Sequence, residues 1–297
     1  EVRLWARDPA QAERLSGARR NERYLPGIDL PDSLGITPRL DKAIEDAVLM
    51  LAATPVAGLR ELSRQLPAEA PLVWLCKGFE RGSGLLPHQL VVQTRCGALS
   101  GPSFAAEVAR GLPCALTLAA RDAAFAREAA ALVHGGRMRV YYSTDLVGVE
   151  IGGAVKNVMA IAAGISDGLG LGHNARAALI TRGLAEIARL GAAMGGHPDT
   201  IFGLTGAGDL ILTATGDLSR NRRVGLELAA GKKLSDILNS LGHVAEGVYT
   251  AREVARLAAA RGVDMPVTDA VNAVLEGKLS PKAAVEQLLS RDPKRER

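Results

Sequence analysis

The chain has 297 residues, 47% hydrophobic, 23% charged and 3% aromatic, with 33 glycines and a formal net charge of +4. That length carries two cores at ~100–200 residues per domain, and the apolar share together with the aperiodic glycines excludes disordered and collagen-like chains. The surplus of 36 basic over 32 acidic residues is small and scattered, which excludes a nucleic-acid stripe and suits a small anionic ligand.

From the N-terminus, short apolar runs alternate with helix-like segments, the pattern of a parallel sheet with helices on its faces. Strands are predicted over 2–5, 47–53, 72–76, 98–99, 114–119 and 139–142, with helices over 9–15, 41–45, 56–66, 104–110 and 122–134. After Thr144 only helical periodicity remains, over 145–163, 175–194, 222–230, 234–239, 249–261, 267–276 and 281–289. The reading is an α/β domain over 1–143 and an all-α domain over 144–297, ending in a solvated charge run over 291–297. Apolar stretches are interrupted by Pro55, Glu150 and Lys156 before ~18 residues, so no membrane span is predicted. Cys76, Cys96 and Cys114 lack metal-ligand spacing and read as free thiols of a reducing compartment. The five histidines have neither i,i+4 pairing nor cysteine company, so no metal site is expected.

In open parallel sheets ligands sit beyond the carboxyl ends of the strands, here at residues 5–8, 54–55, 77–78 and 100–103. Gly101-Pro102 turns into a helix start where free N–H groups and the Ser103 hydroxyl suit an oxygen-rich ligand; a plain turn and cap is the alternative. Arg7 and Asp8 bear on cofactor choice, because an Arg after the second strand of a dinucleotide fold accommodates a ribose 2′-phosphate and an acid takes the 2′-hydroxyl. A surface arginine followed by an Asp-Pro helix cap reads equally well.

Three constellations carry chemistry. Lys156 lies mid-helix with Gly152, Gly153, Met159 and Ala160 at its i±3 and i±4 positions, so no local carboxylate answers it. Burial there lowers a lysine's pKa toward that of a working acid/base, unless the side chain snorkels to water. Asp209, in Thr205-Gly206-Ala207-Gly208-Asp209, is an acid before an apolar run. It either caps the following helix or pairs at long range with Lys156. Ser219-Arg220-Asn221-Arg222-Arg223 places three cations at a helix start, against the dipole, and either a bound phosphate or Asp217 would relieve the conflict.

In order along nearly the whole chain, Leu4-Trp5-Ala6-Arg7-Asp8, Tyr24-Leu25-Pro26-Gly27, Trp74-Leu75-Cys76-Lys77-Gly78, Leu99-Ser100-Gly101-Pro102-Ser103-Phe104-Ala105, Gly152-Gly153-Ala154-Val155-Lys156-Asn157, Gly206-Ala207-Gly208-Asp209-Leu210, Ser219-Arg220-Asn221-Arg222-Arg223 and Val244-Ala245-Glu246-Gly247 resemble the bacterial-type NAD(P)-dependent glycerol-3-phosphate dehydrogenases. The resemblance implies a Rossmann-like doubly wound parallel sheet with a C-terminal all-α domain. It implies an oxidoreductase that interconverts dihydroxyacetone phosphate and sn-glycerol 3-phosphate with NADP or NAD and no metal, feeding glycerophospholipid synthesis. A cytoplasmic location and a homodimer are expected, with no nucleic-acid partner. By the same resemblance Lys156 is the general acid and Asp209 its orienting partner. Lys77, Gly101, Ser103, Ser219, Arg220 and Asn221 hold substrate, and Arg7, Tyr24, Lys77, Ala105, Arg220, Val244 and Glu246 meet the cofactor.

The family opens with a strand and a Gly-x-Gly-x-x-Gly turn for the pyrophosphate. Neither precedes Glu1, so the chain is expected to be a shortened form of a longer protein, with the strand edges beside the absent strand exposed. Two rival readings are a β-hydroxyacid dehydrogenase-like reductase, against which the arginines of 219–223 favour a phosphate, and a non-catalytic fragment lacking the pyrophosphate loop.

Overall fold

The structure, a computed structural model, describes residues 1–241 and 245–292; Val244 and residues 293–297 of the charged run lie outside the described residues. Strand β1 (Val2–Trp5) leads into α1 (Pro9–Ala18), where the Asp8 carboxylate accepts from Ala10 N at 3.1 Å. Asp before Pro favours this start, since the proline lacks an N–H that would otherwise need a partner. A hairpin of β2 (Arg20–Asn21) and β3 (Leu25–Asp29) follows, and β4 (Leu34–Thr37) returns parallel to β1, Val2 facing Leu34. These three strands were not expected. They are short, and Pro26, Gly27 and Gly35 are residues that strands ordinarily exclude.

After α2 (Leu40–Ile44) come β5 (Met50–Ala52), α3 (Val56–Gln65), β6 (Leu72–Trp74), β7 (Cys96–Ser100), α4 (Ala105–Ala109), β8 (Cys114–Ala119), α5 (Ala123–Val133) and β9 (Met138–Ser143). The five strands form one sheet in the order β5-β6-β7-β8-β9. Alternation sorts its side chains: Leu72 and Trp74 face Leu59 and Leu62 of α3, while Val73 faces the layer of Phe125, Ala126 and Ala129 from α5. The sheet is mixed rather than wholly parallel, because β8 runs antiparallel to β7. Only the five-residue α4 lies between them, and at ~1.5 Å per residue it cannot carry the chain back along the sheet.

The β1–β4 pair is a separate sheet, joined to the larger one by side chains: Trp5, Leu40, Ile44 and Met50 pack on the core of α3 and β6. Among the described residues β1 pairs only with β4 and β5 only with β6, and Val2 and Leu51 are 67% and 48% exposed.

Among the described residues every element beyond Ser143 is helical: α6 (Leu146–Gly168), α7 (Gly172–Ala193), α8 (Pro198–Ile201), a π-helical turn over Leu204–Gly208, α9 (Asp209–Thr215), α10 (Arg220–Ala229), α11 (Leu234–Leu241), α12 (Glu246–Ala260), α13 (Pro266–Leu275) and α14 (Pro281–Leu289). Helix α6 is the axis of this half. It is long and apolar enough to cross a membrane despite Glu150 and Lys156, contrary to the expectation from sequence, but almost all of it is buried inside the protein. A helix that is apolar all round belongs in a core when its neighbours cover it. Here α7, α9, α10 and α12 do so, and α10 comes closest because glycines line the crossing. A Cβ on Gly164 would sit 2.0 Å from Arg222 O, and one on Gly225 2.1 Å from Ile161 O.

Candidate active site

The carboxyl ends of β6 and β7 open toward α6 and α9, and three charged side chains converge there. Lys156, 7% exposed, donates from Nζ to Asp209 Oδ1 at 2.5 Å and to Thr213 Oγ1 at 2.9 Å. Lys77, in the loop after β6, donates from Nζ to Asp209 Oδ2 at 2.6 Å and to Gly101 O at 3.2 Å. The long-range pairing inferred from the unpartnered Lys156 therefore forms, and Asp209, 2% exposed, serves two lysines rather than one. It stands at the first turn of α9, the end of a helix that favours a carboxylate.

Local sequence makes this convergence fit. Gly206 has its Cα where a Cβ would meet Ile201 O at 2.0 Å, and a Cβ on Gly152 would meet Thr205 O at 3.1 Å, so the turn before α9 lies directly on α6. Gly101 adopts φ +139°, and a Cβ there would press on Ala115 O at 3.0 Å. Its carbonyl is thereby turned toward Lys77 and also accepts from Ser103 Oγ at 3.2 Å.

Burial lowers the Lys156 pKa to about 8, with Lys77 adding like-charge repulsion and Asp209 pulling it back up. Two ammonium groups against one carboxylate leave this half-closed corner positive, an environment for an anion or a developing oxyanion. Glu246, the first residue of α12, borders it: burial pushes its carboxyl upward while Arg220, Lys77 and Lys156 oppose the shift. An amide chain ties this wall together. Asn157 Nδ2 donates to Glu246 Oε2 at 3.5 Å, Asn221 Nδ2 donates to Asn157 Oδ1 at 2.9 Å, and Gly247 N donates to Asn221 Oδ1 at 3.1 Å.

The arginine-rich start of α10 is less unbalanced than its sequence implied. Arg222 pairs with Asp167 at 2.8 Å and Asp217 at 3.0 Å, and Arg223 pairs with Glu227 at 2.9 Å. Ser219 Oγ caps the helix by accepting from Arg222 N at 3.2 Å. The case for a bound phosphate thus contracts to Arg220, which is exposed and has no ion pair among the described residues.

Other expected contacts lie apart from the lysine cluster. Exposed Arg7 follows β1, and Asp8 is occupied as the α1 cap with Arg14 at 3.7 Å. Tyr24 precedes β3, its ring under the Arg23 guanidinium at 5.1 Å, and α4, whose first residue Ala105 is exposed, packs against β3. Thr54 Oγ1, beyond β5, is buried with no hydrogen-bond partner among the described residues. A buried hydroxyl and an exposed arginine, both beyond strand carboxyl ends and neither with a partner among the described residues, fit the dinucleotide that the sequence implies. Thr213, Asn157 and Thr205, whose Oγ1 donates to Val149 O at 2.9 Å, are given no role by the sequence reading. Thr205 and Asn157 stand inside stretches singled out in the sequence, beside Asp209 and Lys156, and Thr213 stands four residues after Asp209 on the same helical face.

Known proteins share this architecture. Residues 1–126 match the profile of the NAD-dependent glycerol-3-phosphate dehydrogenase N-terminus, and residues 145–286 that of its C-terminus. The chain is 58% identical to a glycerol-3-phosphate dehydrogenase [NAD(P)+] of Aromatoleum aromaticum, covering 100% of this chain and 93% of that protein. It is 59% identical to one of Dechloromonas aromatica, covering 100% and 92%. The crystal structure of glycerol-3-phosphate dehydrogenase from Coxiella burnetii superposes with a TM-score of 0.91 at 39% identity, over 98% of this chain and 92% of that one. A D-mandelate dehydrogenase, at 13% identity and a TM-score of 0.54, shares the fold alone. The Rossmann-like half, the helical half and their profiles together place the chain in the NAD-dependent glycerol-3-phosphate dehydrogenases, a family of dinucleotide-dependent oxidoreductases.

Proposed function

We propose that the chain interconverts dihydroxyacetone phosphate and sn-glycerol 3-phosphate by hydride transfer, with residues 1–143 as the dinucleotide domain and 144–297 as the substrate domain. The observation that carries this reading is the Lys156–Asp209–Lys77 cluster, a buried acid beside a surplus positive charge at the mouth of the sheet. When bound, the dinucleotide supplies a hydride to the ketone carbon, or takes one from the alcohol carbon. Lys156 gives its proton to the oxygen that becomes anionic as the hydride arrives, and takes one from the alcohol in the reverse direction. Asp209 and the Thr213 hydroxyl fix Nζ in place.

Lys77, Gly101 and Ser103 hold the substrate from the sheet side, and Ser219, Arg220 and Asn221 hold it from α10. Arg220 is the group free to meet the phosphate. Arg7, Tyr24, Ala105, Lys77, Arg220 and Glu246 contact the dinucleotide, and Val244 is assigned with them by sequence alone. A cytoplasmic location, a homodimer and a supply of glycerol phosphate to phospholipid synthesis belong to the same reading and rest on the family resemblance.

The test is to mix the full-length enzyme with dihydroxyacetone phosphate and reduced dinucleotide and follow the nicotinamide absorbance. Oxidation that requires the phosphorylated ketone supports the reading. No oxidation with this ketone, or equal rates with dihydroxyacetone, sinks it.

A further inference from the structure

The loop from Gly78 to Arg95 begins beside Lys77 and straps the two halves together. Glu80 accepts from Arg60 of α3 at 2.8 and 2.7 Å, the Arg81 guanidinium stacks on Tyr249 of α12 at 5.2 Å, and Gly82 N donates to Glu253 at 3.4 Å. Its anchor on α6 is His88. The His88 backbone N donates to Glu150 Oε1 at 2.9 Å, and the ring Nδ1 is hydrogen-bonded to Glu150 Oε2.

Glu150 has no part in the proton transfer outlined above, yet it is 6% exposed in the apolar N-terminal part of α6. Burial pushes its carboxyl upward and the contacts from His88 oppose that shift. An acid in such a place destabilises the helix unless its partners are held, so the pair locks loop and helix to each other. The location matters. Glu150, Pro87, Gly78 and Gly153 line one small cavity together with Lys77. A Cβ on Gly153 would lie 3.5 Å from Lys77 Cγ and Cδ, so the lysine stem rests on the face of α6 between Glu150 and Lys156.

We propose that His88 and Glu150 are positioning residues for Lys77: by fixing the strap on α6 they set the reach of Lys77 Nζ to Asp209 and Gly101, and so the substrate grip. This rests on Lys77 being a substrate contact.

The experiment measures KM and kcat of the full-length enzyme for dihydroxyacetone phosphate in Glu150→Ala, Glu150→Gln, His88→Ala, Lys77→Met and Lys77→Met/Glu150→Ala. Glu150→Ala is expected to raise KM roughly tenfold with a smaller change in kcat, a displacement effect. Glu150→Gln, which keeps an acceptor for the His88 N–H, recovers most of the loss. In the Lys77→Met background the Glu150→Ala effect disappears, because both act through one group. Should Glu150→Ala fail to fold, His88→Ala gives the same readout. A lowered melting temperature with unchanged KM in the Glu150 and His88 variants, while Lys77→Met raises KM, overturns this proposal alone. An unchanged KM in Lys77→Met overturns it together with the substrate role of Lys77.

Discussion

Lys156 and Asp209 are 53 residues apart in the chain and 2.5 Å apart at Nζ and Oδ1, on two helices that meet across glycine-thin surfaces. Asp209 cannot fully neutralise Lys156 because its other oxygen is committed to Lys77 at 2.6 Å. The cluster keeps a proton that is easily released beside a charge that attracts an anion.

Removing the acid is the most direct probe. Lys156→Ala is expected to lower kcat by ~10²–10⁴-fold, the usual worth of a positioned acid. Dinucleotide affinity, measured by fluorescence titration, should change little, since the role proposed for Lys156 is toward the substrate. A variant with near-normal kcat refutes the assigned role.

With the Lys156 pKa lowered to about 8, the two reaction directions should respond oppositely to pH. Ketone reduction needs the ammonium, so its rate falls as pH rises through about 8. Alcohol oxidation needs the neutral amine, so its rate rises through the same interval. Initial rates in both directions across pH 6.5 to 9.5, as an approximate span for a group near 8, check the crossing.

Arg220 is exposed and without an ion pair among the described residues, so Arg220→Met should leave stability within ~0.5 kcal/mol of the parent. A charge-assisted contact to phosphate is worth about 1.5–3 kcal/mol, so KM for dihydroxyacetone phosphate should rise by ~10–100-fold. Steady-state kinetics and a denaturation curve on the same preparation separate the two effects.

Glu186 tests the helical core. Its carboxylate accepts from Val267 N at 2.6 Å and Thr268 N at 3.1 Å, and burial raises its pKa to about 7 against those bonds. Between about 4.5 and 7 the folded state keeps a proton that the unfolded chain has lost, so stability falls as pH rises across that window. The change is on the order of 3 kcal/mol at ~1.36 kcal/mol per pKa unit. Glu186→Gln should flatten the slope in urea denaturation at pH 5 and pH 7, both inside that approximate window.

The crossing of α6 and α10 should tolerate no added methyl. In Gly225→Ala the new Cβ would meet backbone at Ile161 O, so the helices must separate, at ~1–3 kcal/mol as for other overpacked cores. Because Asn221 and Asn157 ride on those helices, substrate KM should also rise. An unshifted denaturation midpoint would contradict the close approach.

The alternation of apolar runs, the Asp8-Pro9 helix start and the 3.6-residue spacing beyond Thr144 all make the layout readable in the sequence, because each is a local signal. Lys156 was legible for the same kind of reason: with no carboxylate within a helical turn, a buried ammonium required a distant partner. Strands β2 to β4 were illegible, being short and carrying residues that favour turns. The reversal of β8 lay hidden in the brevity of α4.

What linear order could not show is who shares whom. That Asp209 divides its oxygens between two lysines, that Arg222 pairs with Asp167 of α6, and that His88 reaches Glu150 are facts of distance between remote segments. Backbone periodicity depends on neighbours a turn away and is written into composition and spacing. Electrostatic partnership depends on burial and approach across helices, and those exist only once the glycines at the crossings have let the chain close on itself.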